Sequence, residues 1–148
     1  MATTISPAAG TLTVTFTLSL GGKAYDLTLT RAISAITRAD KRIIRVPTAT
    51  ETEIIGVSGA VDRGVFDTFD ILILVNRDDT NFVRLRLSQN AGDTFDHRLD
   101  PGECFIIFNP NIEVNTTEAA FAAFVTADRV SAQADTAAVD VEYLIGQV

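Results

Sequence analysis

From Leu12 the chain alternates without a break, with Leu12, Val14, Phe16, Leu18 and Leu20 apolar and Thr13, Thr15, Thr17 and Ser19 polar between them. Side chains two apart share one face of a pleated strand, so this pattern predicts a half-buried strand. Gly21-Gly22 interrupts it, and Tyr25, Leu27 and Leu29 resume the period of two against Asp26, Thr28 and Thr30. Paired glycines accept the positive φ angles of tight turns, which predicts a hairpin. Over residues 32–40, Ile33 and Ile36 fit either a short helical turn or an irregular strand, and the tract reads as loop or edge.

Further strands are predicted by short β-branched or apolar runs. Residues 41–46 are stopped by Pro47 and suit an edge strand, because proline cannot donate to a ladder. Residues 53–58 form another candidate. The continuous run Ile71-Leu72-Ile73-Leu74-Val75 predicts a strand that is central or buried on both faces. Asn76-Arg77-Asp78-Asp79-Thr80-Asn81 is a polar turn leading to residues 82–87, where Val83, Leu85 and Leu87 alternate with Arg84, Arg86 and Ser88. After a second turn at residues 90–93 comes a strand at 95–99, and then Asp100-Pro101-Gly102-Glu103, a type II turn signal. Residues 103–108, 129–134 and 138–145 are the last strand candidates, and 117–125, with six alanines and phenylalanines in a row, is the one helix candidate. About nine strands at short spacing, with at most one brief helix, predict an all-β antiparallel sandwich, jelly-roll-like, over residues 11–148. Residues 1–10, small and polar with Pro7 and Gly10, read as a flexible arm.

Composition narrows the function classes. With 148 residues the chain suits one core, and 47% hydrophobic against 21% charged residues is a globular balance. The apolar runs are about five residues long, whereas a membrane-spanning helix needs roughly 20, so no such helix is expected. The opening MATTISPAAGTLT has neither a basic start nor an unbroken apolar stretch, which argues against a secretory leader. A formal net charge of −7 argues against a nucleic-acid surface. The one basic cluster, Arg38, Lys41, Arg42 and Arg45, is a candidate contact for an acidic neighbour, weighed against an ordinary solvated face.

Reactive groups are few. The single histidine, His97, stands beside Asp96, and adjacent residues of a strand point to opposite faces, so the two make no acid–base pair. The single cysteine, Cys104, lies in an apolar run and is expected in the core, where the surroundings raise a thiol pKa. One Cys and one His fall short of the four ligands of a structural zinc site. Asp62, Asp67, Asp70, Asp78, Asp79, Asp93 and Asp96 lie in or near turns without the spacing of a calcium loop, and they read as turn chemistry. The expectation is a protein that is not an enzyme and needs no cofactor or metal.

Three segments, in order, carry a resemblance. Residues 70–85, DILILVNRDDTNFVRL, are similar to the strand, N-x-D-x-x-N, strand hairpin of small virion proteins from tailed bacteriophages, especially those of cyanobacteria and other marine hosts. Residues 99–107, LDPGECFII, resemble the L-x-P-G-E turn of the same proteins, and residues 129–143, RVSAQADTAAVDVEY, resemble their ending. The resemblance covers roughly the C-terminal half. It implies a β-sandwich that decorates or cements a capsid from outside. Its partners would be the major capsid protein, other virion proteins or further copies of itself, with no nucleic acid or membrane involved, and its location would be the virion. Thr3, Thr4, Ile5, Ser6 and Pro7 of the arm are candidate contacts to the shell. The alternative is a neck, tail or fibre protein with a receptor- or carbohydrate-binding role, against which count the absence of Trp and the apparently inward positions of Tyr25 and Tyr143.

Overall fold

A computed structural model describes residues 6–56, 66, 68–88, 94–112 and 124–148. Contacts gather into two units, Met1–Arg38 with Val148, and Ala39–Gln147, where the sequence places a single boundary at residue 10.

The first unit is a long antiparallel hairpin of β1 (Ala8–Leu20) and β2 (Lys23–Ile36). Gly21 and Gly22 have φ of 59° and 78°, so the two-residue loop is of the primed kind whose twist matches the strands it joins. Near the open end Ala8 faces Ile36 while Gly10 faces Ile33, so β2 carries one extra residue there, and Ala35 takes φ 60° to absorb it. Thr3, Thr4 and Ile5 lie outside the described residues. Ser6 and Pro7 are exposed and precede the strand, and Ala8 to Gly10 belong to the ladder rather than to a loose arm. The tract 32–40 is likewise strand apart from Thr37, which separates β2 from the next element.

The predicted alternation of this hairpin is present; the predicted burial is not. Apart from Gly10, Leu12, Ile33 and Ile36, every residue of the two strands is exposed. A period of two dictates which side chains share a face and is silent about what covers that face.

The second unit contains β3 (Arg38–Val46), β4 (Thr52–Gly56), β5 (Ile71–Asn76), β6 (Val83–Ser88), β7 (Thr94–Leu99), β8 (Cys104–Ile107), β9 (Asn111–Ile112), β10 (Val125–Thr126), β11 (Arg129–Ala134) and β12 (Val139–Gln147). Two four-stranded sheets, ordered β3-β12-β5-β8 and β4-β11-β6-β7, form an antiparallel sandwich, and β9 pairs with β10 separately. Chain order alternates between the sheets in the manner of a jelly roll, with β3, β5, β8 and β12 in one sheet and β4, β6, β7 and β11 in the other. The run 71–75 takes the central place predicted for it, and residues 41–46 lie in an edge strand. The helix expected at 117–125 falls mostly outside the described residues, and its last residue, Val125, starts β10.

Between the sheets lie Val46, Leu72, Leu74, Val83, Leu85, Leu87, Leu99, Val130, Val141 and Ile145, all fully buried. Removing apolar surface from water at about 25 cal/mol per Å² makes this layer the principal stabilising term. Cys104 is not part of it. Strand alternation points Phe105 and Ile107 toward the core and leaves Cys104 exposed, opposite Val75 on the other side of the sheet.

The polar turn 76–81 is not a hairpin loop. β5 pairs with β12 and β8, β6 pairs with β11 and β7, and the segment 77–82 crosses from one sheet to the other. Segments 47–51, 100–103 and 135–138 make the same kind of crossing at the same end of the sandwich. Asn76 holds this end together. It is fully buried, and its Nδ2 donates to the carbonyls of Asn81 at 2.9 Å and Leu99 at 3.2 Å, while its Oδ1 accepts from the Asp78 amide at 2.9 Å. Asp78 in turn accepts from the amides of Thr80 and Asn81, and the Thr136 hydroxyl donates to Asn81 Oδ1 at 2.6 Å. Gly102, at φ 72°, completes the type II turn closed by the Glu103 amide on the Asp100 carbonyl at 3.1 Å.

Candidate functional site

Two apolar faces stand out, one on each unit. On the hairpin the register sets Val14 opposite Leu29, Phe16 opposite Leu27 and Leu18 opposite Tyr25. Directly paired residues of an antiparallel ladder share a face, so these side chains and Leu20 form one continuous apolar stripe. Thr11, Thr13, Thr15, Thr17, Thr28 and Thr30 line the opposite face by the same alternation. Phe16 is 55% exposed and Leu27 67%. Lys23 closes the stripe at the turn, its ammonium 5.2 Å from the Tyr25 ring centre. Tyr25 is thus exposed, against the inward position expected of it, whereas Tyr143 is buried.

The second face is the outer side of the β3-β12-β5-β8 sheet. Leu144, Ile73 and Ile106 form one cross-strand row, and Glu142, Val75 and Cys104 form the next. Ile43 on the edge strand is 62% exposed and Leu144 36%. A shallow depression of about 180 Å³ is lined by Lys41, Ile73, Val75, Arg77, Glu142 and Leu144. Glu142, itself buried, receives Lys41 Nζ at 2.8 Å and the Arg77 guanidinium, and these two cations hold its carboxyl below the usual range.

The outer side of the other sheet is of opposite character. Glu51 binds Arg84 and Arg86 and accepts from the buried Ser131 hydroxyl. Arg86 grips Asp96 bidentately, both bonds 2.7 Å, and lowers its pKa, while Arg84 reaches Gln133 at 2.8 Å. One sheet therefore shows solvent a lattice of paired charges and the other an apolar row framed by charges. This contrast follows from the sequence, since Arg84 and Arg86 alternate with the core leucines of β6 while Ile73 and Val75 alternate with those of β5.

The basic cluster is divided by strand alternation and neutralised within the chain. Lys41 binds Glu142, Arg45 binds Asp140 at 3.2 Å, and Arg42 binds Asp40 at 2.8 Å. Asp40 and Arg42 sit with Tyr143 at a small cavity of about 40 Å³ at the margin of the core. Burial raises the Asp40 pKa, but bonds from the Tyr143 hydroxyl and Arg42 outweigh it and the net direction is down. Burial, together with the bond to Asp40, pushes the Tyr143 hydroxyl up to about 12. Arg38 stands at the start of β3, next to the unit boundary.

His97 lies half-buried on β7. Its ring packs 4.8 Å from Phe105 and 6.4 Å from Phe95, an aromatic group where the edge strands β7 and β8 of the two sheets meet. Among the described residues no three His, Cys, Asp or Glu side chains converge as a metal site. The two apolar faces escape sequence reasoning because alternation is read as a sign of burial. The one available signal was composition, since a hairpin with threonine at 11, 13, 15 and 17 of β1 has a second side too polar to enter a core. No protein family, curated protein or solved structure matches the chain.

Proposed function

We propose that this chain is a structural subunit of a tailed-phage virion, bound to the outside of the capsid as a decoration or cement protein. The observation that carries the assembly role is the hairpin stripe from Val14 to Leu29, a large apolar surface that stays exposed among the described residues. Soluble proteins seldom keep such a surface unless another molecule completes it. The sandwich supplies the complementary property, a rigid body whose crossings are held by the buried Asn76 and whose β3-β12-β5-β8 sheet offers an apolar row for docking. In this reading the chain does no chemistry, and many weak contacts to a repeating shell add through multivalency. The assignment to a phage capsid rests on the resemblance of residues 70–85, 99–107 and 129–143.

The test is density-gradient copurification of the tagged full chain with intact particles of the phage that encodes it, with copies per particle counted by quantitative mass spectrometry. Hundreds of copies following the major shell protein support decoration. About a dozen copies transfer the chain to the neck or tail, the second reading, and an absence from particles refutes both.

A further inference from the structure

We infer that the apolar face of the β1–β2 hairpin is covered by the same face of a second copy of this chain, so that the free protein is a homo-oligomer joined through its hairpins. This rests on the reading of the chain as an assembly subunit and names the partner of one of its faces.

A two-stranded hairpin alone in water is marginal at best, and independent stability takes a third strand or a packed face. Here eleven consecutive residue pairs keep one register over β1 and β2, yet the strands are exposed almost throughout. Each hydrogen bond of the ladder contributes only about 1 kcal/mol net, because the unfolded strands bond to water instead, and the entropy lost in ordering the residues offsets it. A covering layer over the stripe supplies the missing burial.

Geometry favours a copy of the same stripe. Val14, Phe16, Leu18, Leu20, Tyr25, Leu27 and Leu29 are between 39% and 67% exposed. With ordinary side-chain areas they offer on the order of 650 Å², so two stripes face to face bury roughly 1,300 Å², inside the range of stable protein interfaces. The stripe has the features of an interface core, with two aromatic side chains among leucine and valine and no charge in its interior. Its charges, Lys23 and Arg31, stand at its two ends, where long side chains reach solvent past an apolar contact. An apolar face with no charge in its interior meets its own copy without like-charge repulsion, and a two-fold contact brings the same patch of both copies together. The threonine face is left outward, as a solvated side should be.

The experiment is sedimentation velocity of the full chain from about 1 to 100 µM, with two single variants on adjacent residues of β2. Leu27→Glu puts a charge in the stripe, and Thr28→Glu puts the same charge on the opposite face. Far-UV circular dichroism and urea unfolding monitor the sandwich in each. The expected result is a wild-type mass that is a multiple of 15.9 kDa, an unchanged oligomer for Thr28→Glu, and for Leu27→Glu a dissociation constant raised at least about 100-fold, as for a charge buried at an interface core.

A wild-type monomer at 100 µM overturns the inference. So do two variants that dissociate alike, or two that stay assembled alike, because neither result singles out the stripe. Binding of the monomer to phosphatidylglycerol vesicles or to emptied capsids through Leu27 also overturns it, giving the face to lipid or to the shell. Failure here is separable from failure of the virion reading. A monomer that still copurifies with particles sinks only the self-contact, and an oligomer absent from particles sinks only the virion role.

Discussion

Replacing Asn76 by alanine removes three hydrogen bonds at one fully buried point. The carbonyls of Asn81 and Leu99 lose their donor, and the Asp78 amide loses its acceptor. The Leu99 bond is buried and the other two are partly buried, so water reaches the second pair of groups more readily than the first. A buried group left without a partner costs about 1–3 kcal/mol, and a partly solvated one lies near the bottom of that range, which gives roughly 3–5 kcal/mol for Asn76→Ala. For a domain of this size each kcal/mol lowers the melting temperature by about 2–4 °C, so a fall of roughly 6–20 °C is expected. Equilibrium urea unfolding followed by circular dichroism measures it directly, at a protein concentration low enough to keep association constant between variants. Asn76→Asp is the informative companion, because it retains the acceptor for the Asp78 amide and replaces the donor with a carboxylate facing two carbonyl oxygens. It should cost at least as much as alanine at pH 7 and recover partly at pH 4 relative to wild type. A loss below about 1 kcal/mol for Asn76→Ala would show that the crossings hold without the staple.

Further outcomes follow from the same structure. Leu85→Ala, at a fully buried position between the sheets, should lower stability by about 2–5 kcal/mol in chemical denaturation. Gly102→Ala forces a Cβ into the left-handed region at φ 72° and should cost about 1–2 kcal/mol by the same assay, with no change in the m value. Asp40, Asp78, Asp96 and Glu142 all have depressed pKa values. The unfolded chain then binds protons more readily than the folded one, so this stabilisation is complete above the ordinary carboxylate range and fades as pH falls through the lower folded values. Urea midpoints should be level near neutrality and decline below about pH 4, and a midpoint that rises on acidification contradicts the pairing. In Tyr25→Phe, the 295 nm absorbance of the remaining tyrosine should titrate at about 12, and Asp40→Asn should bring it down. Because that pKa is raised, the associated stability is whole below the unfolded value of about 10 and disappears as pH climbs through the folded one.

Much of the fold was legible because local signals and the global arrangement agree. The five apolar residues from Ile71 to Val75 mark a central strand, Pro47 follows an edge strand, and Gly21-Gly22 and Pro101-Gly102 make the turns their φ preferences allow. What escaped was pairing at a distance. The polar turn after Asn76 has the composition of a hairpin loop, but composition cannot tell a return within one sheet from a crossing to the other. The buried amide of Asn76, which makes the crossing, differs in no visible way from a surface asparagine in sequence. All three segments that carry the phage resemblance converge on this end of the sandwich, so Asn76, Asp78, Asn81, Gly102 and Thr136 are read most economically as framework chemistry. Cys104 was misplaced by one step of strand alternation, since the apolar run it begins has two apolar sides. The basic cluster was legible as charge, but its acidic neighbours Asp140 and Glu142 come from a strand about a hundred residues away.

The outward position of Cys104 makes the protein its own reporter. The chain has one thiol, and it sits beside Val75 on the apolar side of a sheet rather than inside the core. A maleimide dye or spin label will therefore attach at one known place without disturbing the packing between the sheets. Its rate of attachment becomes a clock for whatever settles on that side. Under the proposed virion role, alkylation slowed in assembled particles and restored on their disassembly would map a contact to this side of the sheet.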